Sequence, residues 1–104
     1  MASRKLNLRQ KEIEKYLLEV GFSPEFAGFE MLRECVYVAS KDKDKYRKCI
    51  SSVLLTEVKE RLGKRSFKNI DTGVRYVRSR CTNPKYKSLK IKQLIFTLIT
   101  ELGY

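Results

Sequence analysis

Apolar residues in this chain recur at three- and four-residue intervals, and glycine or proline interrupts the pattern at Gly21, Pro24, Gly63 and Pro84. That interval gathers side chains on one face of an α-helix, whereas a half-buried strand needs strict alternation. Four or five helices can be placed on this basis, and no convincing strand. Residues 8–20 set Ile13, Tyr16, Leu17 and Val20 at helical spacing, with Gly21 as the stop. Ser23-Pro24-Glu25 then restarts a helix: Ser caps, Pro suits the first helical position, and the acid complements the N-terminal dipole. This second helix, roughly 24–39, carries Phe26, Ala27, Phe29, Met31, Leu32, Cys35, Val36 and Val38 around much of its circumference, which predicts the central core element. The alternating charges of Lys41–Lys45 read as a solvated connection. Tyr46, Cys49, Ile50 and Val53 carry a third segment, expected to pass through a break near Leu55-Thr56 into a helix over Thr56–Leu62 that Gly63 ends. A helix over 69–81 follows, with Ile70, Val74, Val77 and Cys81 at i, i+4, i+7 and i+11. Asn83-Pro84 breaks the chain, and the last helix, about 88–102, places Ile91, Leu94, Ile95, Leu98 and Leu102 on one face.

With 104 residues the chain has the size of one domain, and 42% hydrophobic content is enough for a core, so the 34% of charged residues does not signal disorder. Residues 1–8 are expected to form a flexible N-terminal tail. Met1-Ala2-Ser3-Arg4-Lys5-Leu6 lacks the apolar core of a signal peptide, and no apolar run is long enough to span a bilayer; a cytoplasmic location is expected. The three cysteines, Cys35, Cys49 and Cys81, fit neither a metal-binding spacing nor a disulfide framework. No histidine is present, which removes Ser-His and Cys-His nucleophile pairs together with the commonest metal ligand. No catalytic residue, cofactor, metal or small-molecule substrate is implied, and the expectation is a protein that is not an enzyme.

Charge is distributed unevenly. Between Lys59 and Lys92 stand twelve Lys/Arg residues against Glu60 and Asp71, a net +10 within a chain of net +11. Localised positive charge releases counterions from, and steers association with, a phosphate backbone. Within the segment a helix, a glycine-closed turn and a basic helix succeed one another, the order of a DNA-reading helix-turn-helix. Lys64, Arg65 and Lys68 lie where phosphates would be met, with Ser66 or Asn69 as the cap of the second helix. Opposite the apolar stripe lie Lys68, Thr72, Arg75 and Ser79, flanked by Asp71 and Arg78. Asn69, Thr72 and Arg75 are the candidates for base edges, since Arg pairs bidentately with guanine and Asn suits adenine. Asp71 and Arg75 are placed to pair at i, i+4 and so to fix the Arg rotamer. Lys85, Lys87, Lys90 and Lys92 follow the break and are candidates to grip flanking backbone. Tyr16 and Tyr37 lie on faces that look packed, Tyr46 falls in the solvated stretch, and Tyr76 and Tyr86 alone belong to the basic segment. Two aromatics do not make a platform for stacking single strands.

The stretch Gly21-Phe22-Ser23-Pro24-Glu25-Phe26-Ala27-Gly28-Phe29-Glu30-Met31-Leu32-Arg33-Glu34-Cys35-Val36 resembles a segment of the C-terminal effector domain of the sporulation master response regulators of spore-forming bacteria (stage 0 sporulation protein A). Ile50-Ser51-Ser52-Val53-Leu54 with Glu57-Val58 fits the start of that family's helix-turn-helix, and Ile70-Asp71, Val74-Arg75 and Tyr76 fit its recognition helix. The likeness covers roughly residues 10–81. It implies an all-α compact bundle of about five to six helices containing a helix-turn-helix, binding double-stranded DNA in the major groove, as a homodimer or as tandem copies. Three departures accompany it: the turn from Gly63 to Ile70 reads one residue longer, with Ser66 inserted; the region after Cys81 is shorter and more basic; and no receiver domain is present. The functional expectation is a sequence-specific transcriptional regulator with its recognition helix at about 69–81. The alternatives are a protein–protein module or anti-regulator that keeps the fold but binds an acidic partner, and association with RNA, which needs only charge.

Overall fold

The computed structural model describes residues 6–48, 53–64 and 66–104, which form seven helices and no strand. The class is all-α, as the periodicity implies. The helices are α1 (Leu8–Val20), α2 (Ala27–Lys41), α3 (Lys43–Lys48), α4 (Leu55–Leu62), α5 (Phe67–Ser79), α6 (Pro84–Lys87) and α7 (Ile91–Leu102). They exceed the expected five to six because α3 and α6 are separate short turns. None is long and apolar enough to cross a membrane.

Helix α2 is the centre. Leu32, Cys35, Val36, Val38 and Ala39 are fully buried, and α2 packs against α1, α3, α4, α5 and α7. A wide apolar arc can be satisfied only by neighbours on several sides. Its start differs from the expectation. Ser23, Pro24 and Glu25 form a turn in which the Glu25 N–H donates to Ser23 Oγ, and Phe26, with extended backbone, holds the N-cap position. The physical reason lies in the aromatic ring: Phe26 is spent in an edge contact with Tyr76, centroids 5.3 Å apart.

Asn7 caps α1, exchanging hydrogen bonds with Gln10: the Gln10 N–H donates to Asn7 Oδ1 at 2.9 Å, and the Asn7 N–H to Gln10 Oε1 at 3.0 Å. Residues 6–8 of the expected tail thus belong to the fold, and residues 1–5 lie outside the described residues. The charged stretch 41–45 is exposed but helical on both sides of Asp42. Tyr46 is not solvated as its neighbours suggest. It is only 4% exposed, and its hydroxyl donates to Glu57 at 2.5 Å, which ties α3 to α4. The expected apolar role of Cys49 and Ile50 falls outside the described residues. Helix α4 already includes Leu55 and Thr56, with no break there, because Leu54, Leu55 and Val58 enter the core together.

Helix α5 begins two residues earlier than its apolar stripe indicates, at Phe67, because Ser66 caps it. Beyond it, Cys81 is buried without being helical, its backbone N–H bonded to Arg78 O. The last helix, α7, starts at Ile91, three residues later than expected, and the expected break at Asn83-Pro84 opens a short helix of its own, with Asn83 capping α6 and Pro84 at its first position.

Candidate nucleic-acid interface

Gly63 ends α4 with φ 67° and ψ 29°, a left-handed conformation that glycine adopts without a Cβ penalty, and the chain turns at once towards α5. Ser66 Oγ accepts the Lys68 N–H at 3.1 Å, and Asn69 Oδ1 accepts the Ser66 N–H at 3.1 Å, a reciprocal cap that fixes the first turn of α5. Ile70, Val74 and Val77 are fully buried on one side. On that side Gly73 meets Gly28 of α2 so closely that a Cβ on Gly28 would lie 1.9 Å from the Gly73 carbonyl oxygen. Two glycines at one crossing let the α2 and α5 backbones touch.

A buried ionic network holds α4 in place. Glu34, fully buried on α2, accepts Arg33 Nε and Arg61 Nε, each at 2.9 Å, and Gln10 Nε2 at 2.8 Å, while Arg33 also reaches Glu14 at 2.8 Å. Burial alone would push the Glu34 carboxyl up. The hydrogen bonds from Arg33, Arg61 and Gln10 outweigh it and hold the carboxyl below the usual range, so Glu34 is charged. α1, α2 and α4 are thereby pinned together beneath the turn.

The outward side of α5 carries Lys68, Asn69, Thr72, Arg75, Tyr76 and Ser79, all exposed. Arg75 Nε donates to Asp71 Oδ2 at 2.9 Å, the i, i+4 pair anticipated from the spacing. The Arg75 side chain keeps 58% of its surface exposed. Asn69 is less suited to reading adenine than the sequence implies, because its Oδ1 is engaged by the Ser66 backbone. Lys64 is exposed in the turn, and Arg65 lies outside the described residues.

The remaining candidates divide. Lys87 and Lys90 are exposed beside the α6–α7 connection, as is Lys92 at the start of α7. Lys85 instead forms an ion pair with Glu101, which also accepts the hydroxyls of Tyr16 at 2.8 Å and Tyr86 at 2.5 Å. Arg78 turns along the protein surface, its Nη1 donating to the Leu89 carbonyl at 2.7 Å. A contact that pattern reading missed is the cluster of Phe26, Tyr76 and Arg80, with the Arg80 guanidinium 5.8 Å from each ring centroid. Its only sequence signal is an aromatic beside the α2 start.

Among the described residues no group of three His, Cys, Asp or Glu side chains could hold a metal. No protein-family model matches this chain, and no curated protein matches it.

Proposed function

We propose that the protein binds duplex DNA sequence-specifically, inserting α5 into the major groove, and acts as an intracellular transcriptional regulator of the kind that residues 21–36 resemble. The observation that carries the reading is Arg75: an exposed arginine in the middle of the outward face of α5, its Nε bonded to Asp71 and most of its side chain open to solvent. A guanidinium held this way is preorganised for the N7 and O6 acceptors of guanine. Thr72, one turn earlier, contributes to neighbouring bases, and five exposed lysines, Lys64, Lys68, Lys87, Lys90 and Lys92, supply phosphate contacts.

Fluorescence anisotropy tests this with a labelled duplex carrying the recognition box of the resembled family, a scrambled duplex and a salt series. A preference of about ten-fold or more for the box is expected. Arg75→Ala should lose about 1–3 kcal/mol on the box and relax the base preference at one position, whereas Lys90→Ala should weaken both duplexes alike. Equal losses from Arg75→Ala on both duplexes would refute the placement of the reading helix. Weak and equal binding of the unmodified protein to both would leave the basic face generic and direct the search to an acidic protein partner.

A further inference from the structure

Arg78 lies on the flank of α5, between the outward face and the buried stripe, and its side chain bonds to the backbone of the α6–α7 connection. Nη1 meets the carbonyl of Leu89 at 2.7 Å. Nε is sealed from solvent and has no hydrogen-bond partner among the described residues. Burying part of a guanidinium with a donor unpaired is unfavourable compared with an apolar side chain of the same length, so stability alone does not account for arginine here.

Leu89 is flanked by two of the exposed lysines, Lys87 two residues before it and Lys90 one after. The near end of this connection is already anchored, with Tyr86 buried against the Phe22 ring and bonded to Glu101. The Arg78 bond fastens the middle of the loop to the last turn of α5. Two cationic groups on separate elements, one on α5 and one on the loop, are then held at a fixed separation. A duplex presents phosphates at fixed intervals, and a preset separation avoids the ordering cost that a loose loop would incur on binding.

We infer that Arg78 is a positioning residue for the DNA backbone: it sets Lys87 and Lys90 in register with α5 and does not itself touch a phosphate. The inference rests on the duplex-binding reading given above. It reassigns a side chain that charge and spacing alone would count as a contact.

The test measures the salt dependence of duplex binding for the whole chain, for Arg78→Ala, for a Lys87→Ala/Lys90→Ala variant and for the combination of all three. Each neutralised phosphate adds about −0.9 to the slope of log K against log salt. Arg78→Ala should therefore make the slope shallower by nearly two, about as much as the double lysine variant does, with the ratio of box to scrambled affinity unchanged. Adding Arg78→Ala to the double lysine variant should change nothing further. A lysine reaches the Leu89 carbonyl with its ammonium, so Arg78→Lys should recover much of the slope. Arg78→Met, which keeps the buried stem, replaces the alanine variant if circular dichroism shows that variant unfolded. An undiminished slope in Arg78→Ala overturns the inference, as does an equal further loss in the double lysine background, which would make Arg78 a phosphate contact itself. These failures differ from failure of the underlying reading, in which the unmodified protein would show neither box preference nor steep salt dependence.

Discussion

Replacing Gly28 with alanine tests the crossing that presents α5 to solvent. The added Cβ would lie 1.9 Å from the Gly73 carbonyl oxygen and 2.7 Å from its carbon, both in backbone that cannot rotate aside. To restore even a 3.0 Å contact, α2 and α5 must separate by more than 1 Å at that point. Ile70, Val74 and Val77, all fully buried on α5, lose contact as the gap opens, and a gap of 0.5–1 Å forfeits roughly a quarter to a half of each dispersion well. Overpacking of this kind costs about 1–3 kcal/mol, and the backbone character of the clash puts Gly28→Ala at the upper end. Helix propensity opposes this by at most about 1 kcal/mol. A net loss of about 2–3 kcal/mol follows.

Gly73→Ala supplies the control. Its Cβ would meet Met31 Sδ at 2.1 Å, but that atom ends a flexible thioether, and the next contacts are Met31 Cε at 3.2 Å and Gly28 Cα at 3.5 Å. Met31 can turn away, and the propensity gain of about 1 kcal/mol at a mid-helix site offsets most of the strain. Urea unfolding followed by far-ultraviolet circular dichroism reads the difference. With a slope of about 1–3 kcal/mol per molar urea, Gly28→Ala should lower the midpoint by about 1–2 M and Gly73→Ala by less than half as much. The ordering is the decisive result: a neutral Gly28→Ala, or a Gly73→Ala at least as damaging, refutes the claim that this backbone contact sets the position of α5.

Glu34→Gln should destabilise the fold by about 3 kcal/mol at neutral pH, because it leaves Arg33 buried without its full countercharge. The folded-state pKa of Glu34 is depressed, so its stabilisation is present above the unfolded value near ~4.3 and lost as pH falls through the folded one. Urea midpoints of the unmodified protein and the variant should run parallel at neutral pH and converge below about pH 4; a gap that persists in acid contradicts the charged state assigned to Glu34. The Tyr46 hydroxyl is pushed up to about 12, by burial first and by Glu57 second, so its stabilisation holds below pH ~10 and fades as pH rises through the folded value. A phenolate absorbance titration comparing the protein with Tyr46→Phe should show this tyrosine ionising well above pH ~10 or with unfolding, and its ionisation near pH ~10 would contradict the burial. Burial also pushes the fully enclosed Cys35 thiol well above its ordinary range, so maleimide labelling mapped by mass spectrometry should reach Cys35 only at the rate of unfolding; prompt labelling in the folded state would speak against the packing of α2.

Helix existence was legible wherever the apolar period was strong. The stripes of α1, α5 and α7 turn inward with the residues their spacing nominates, and the glycine stops at Gly21 and Gly63 fall where the periods end. What escaped was set by partners distant in sequence. Tyr46 reads as solvated because its neighbours are charged, yet its acceptor Glu57 lies eleven residues on. The start of α2 was misplaced because Ser-Pro-Glu is a good helix opening by itself, while Phe26 is drawn to Tyr76 from another element. Gly28 and Gly73 stand inside helical patterns, where glycine is unfavourable. That is a sign of close packing, but nothing in the sequence says that the two face each other.

The candidate site shows the same division, with a consequence for how strongly salt governs binding. If the net +10 of residues 59–92 met phosphates in full, the slope of log K against log salt would approach about −9. The fold removes several of these cations from that role: Arg61 serves Glu34, Arg75 is engaged by Asp71, Arg80 lies against two rings, and Lys85 is neutralised by Glu101. Arg78 is bonded to the Leu89 carbonyl and Lys59 is half-buried, so that among the described residues five exposed lysines remain, Lys64, Lys68, Lys87, Lys90 and Lys92. They predict a slope of about −4.5, equivalent to a roughly 500-fold loss of affinity between ~50 and ~200 mM salt. Opening of the ion pairs to Asp71 and Glu101 on binding would release two further cations, Arg75 and Lys85, and steepen the slope in the anisotropy series to about −6.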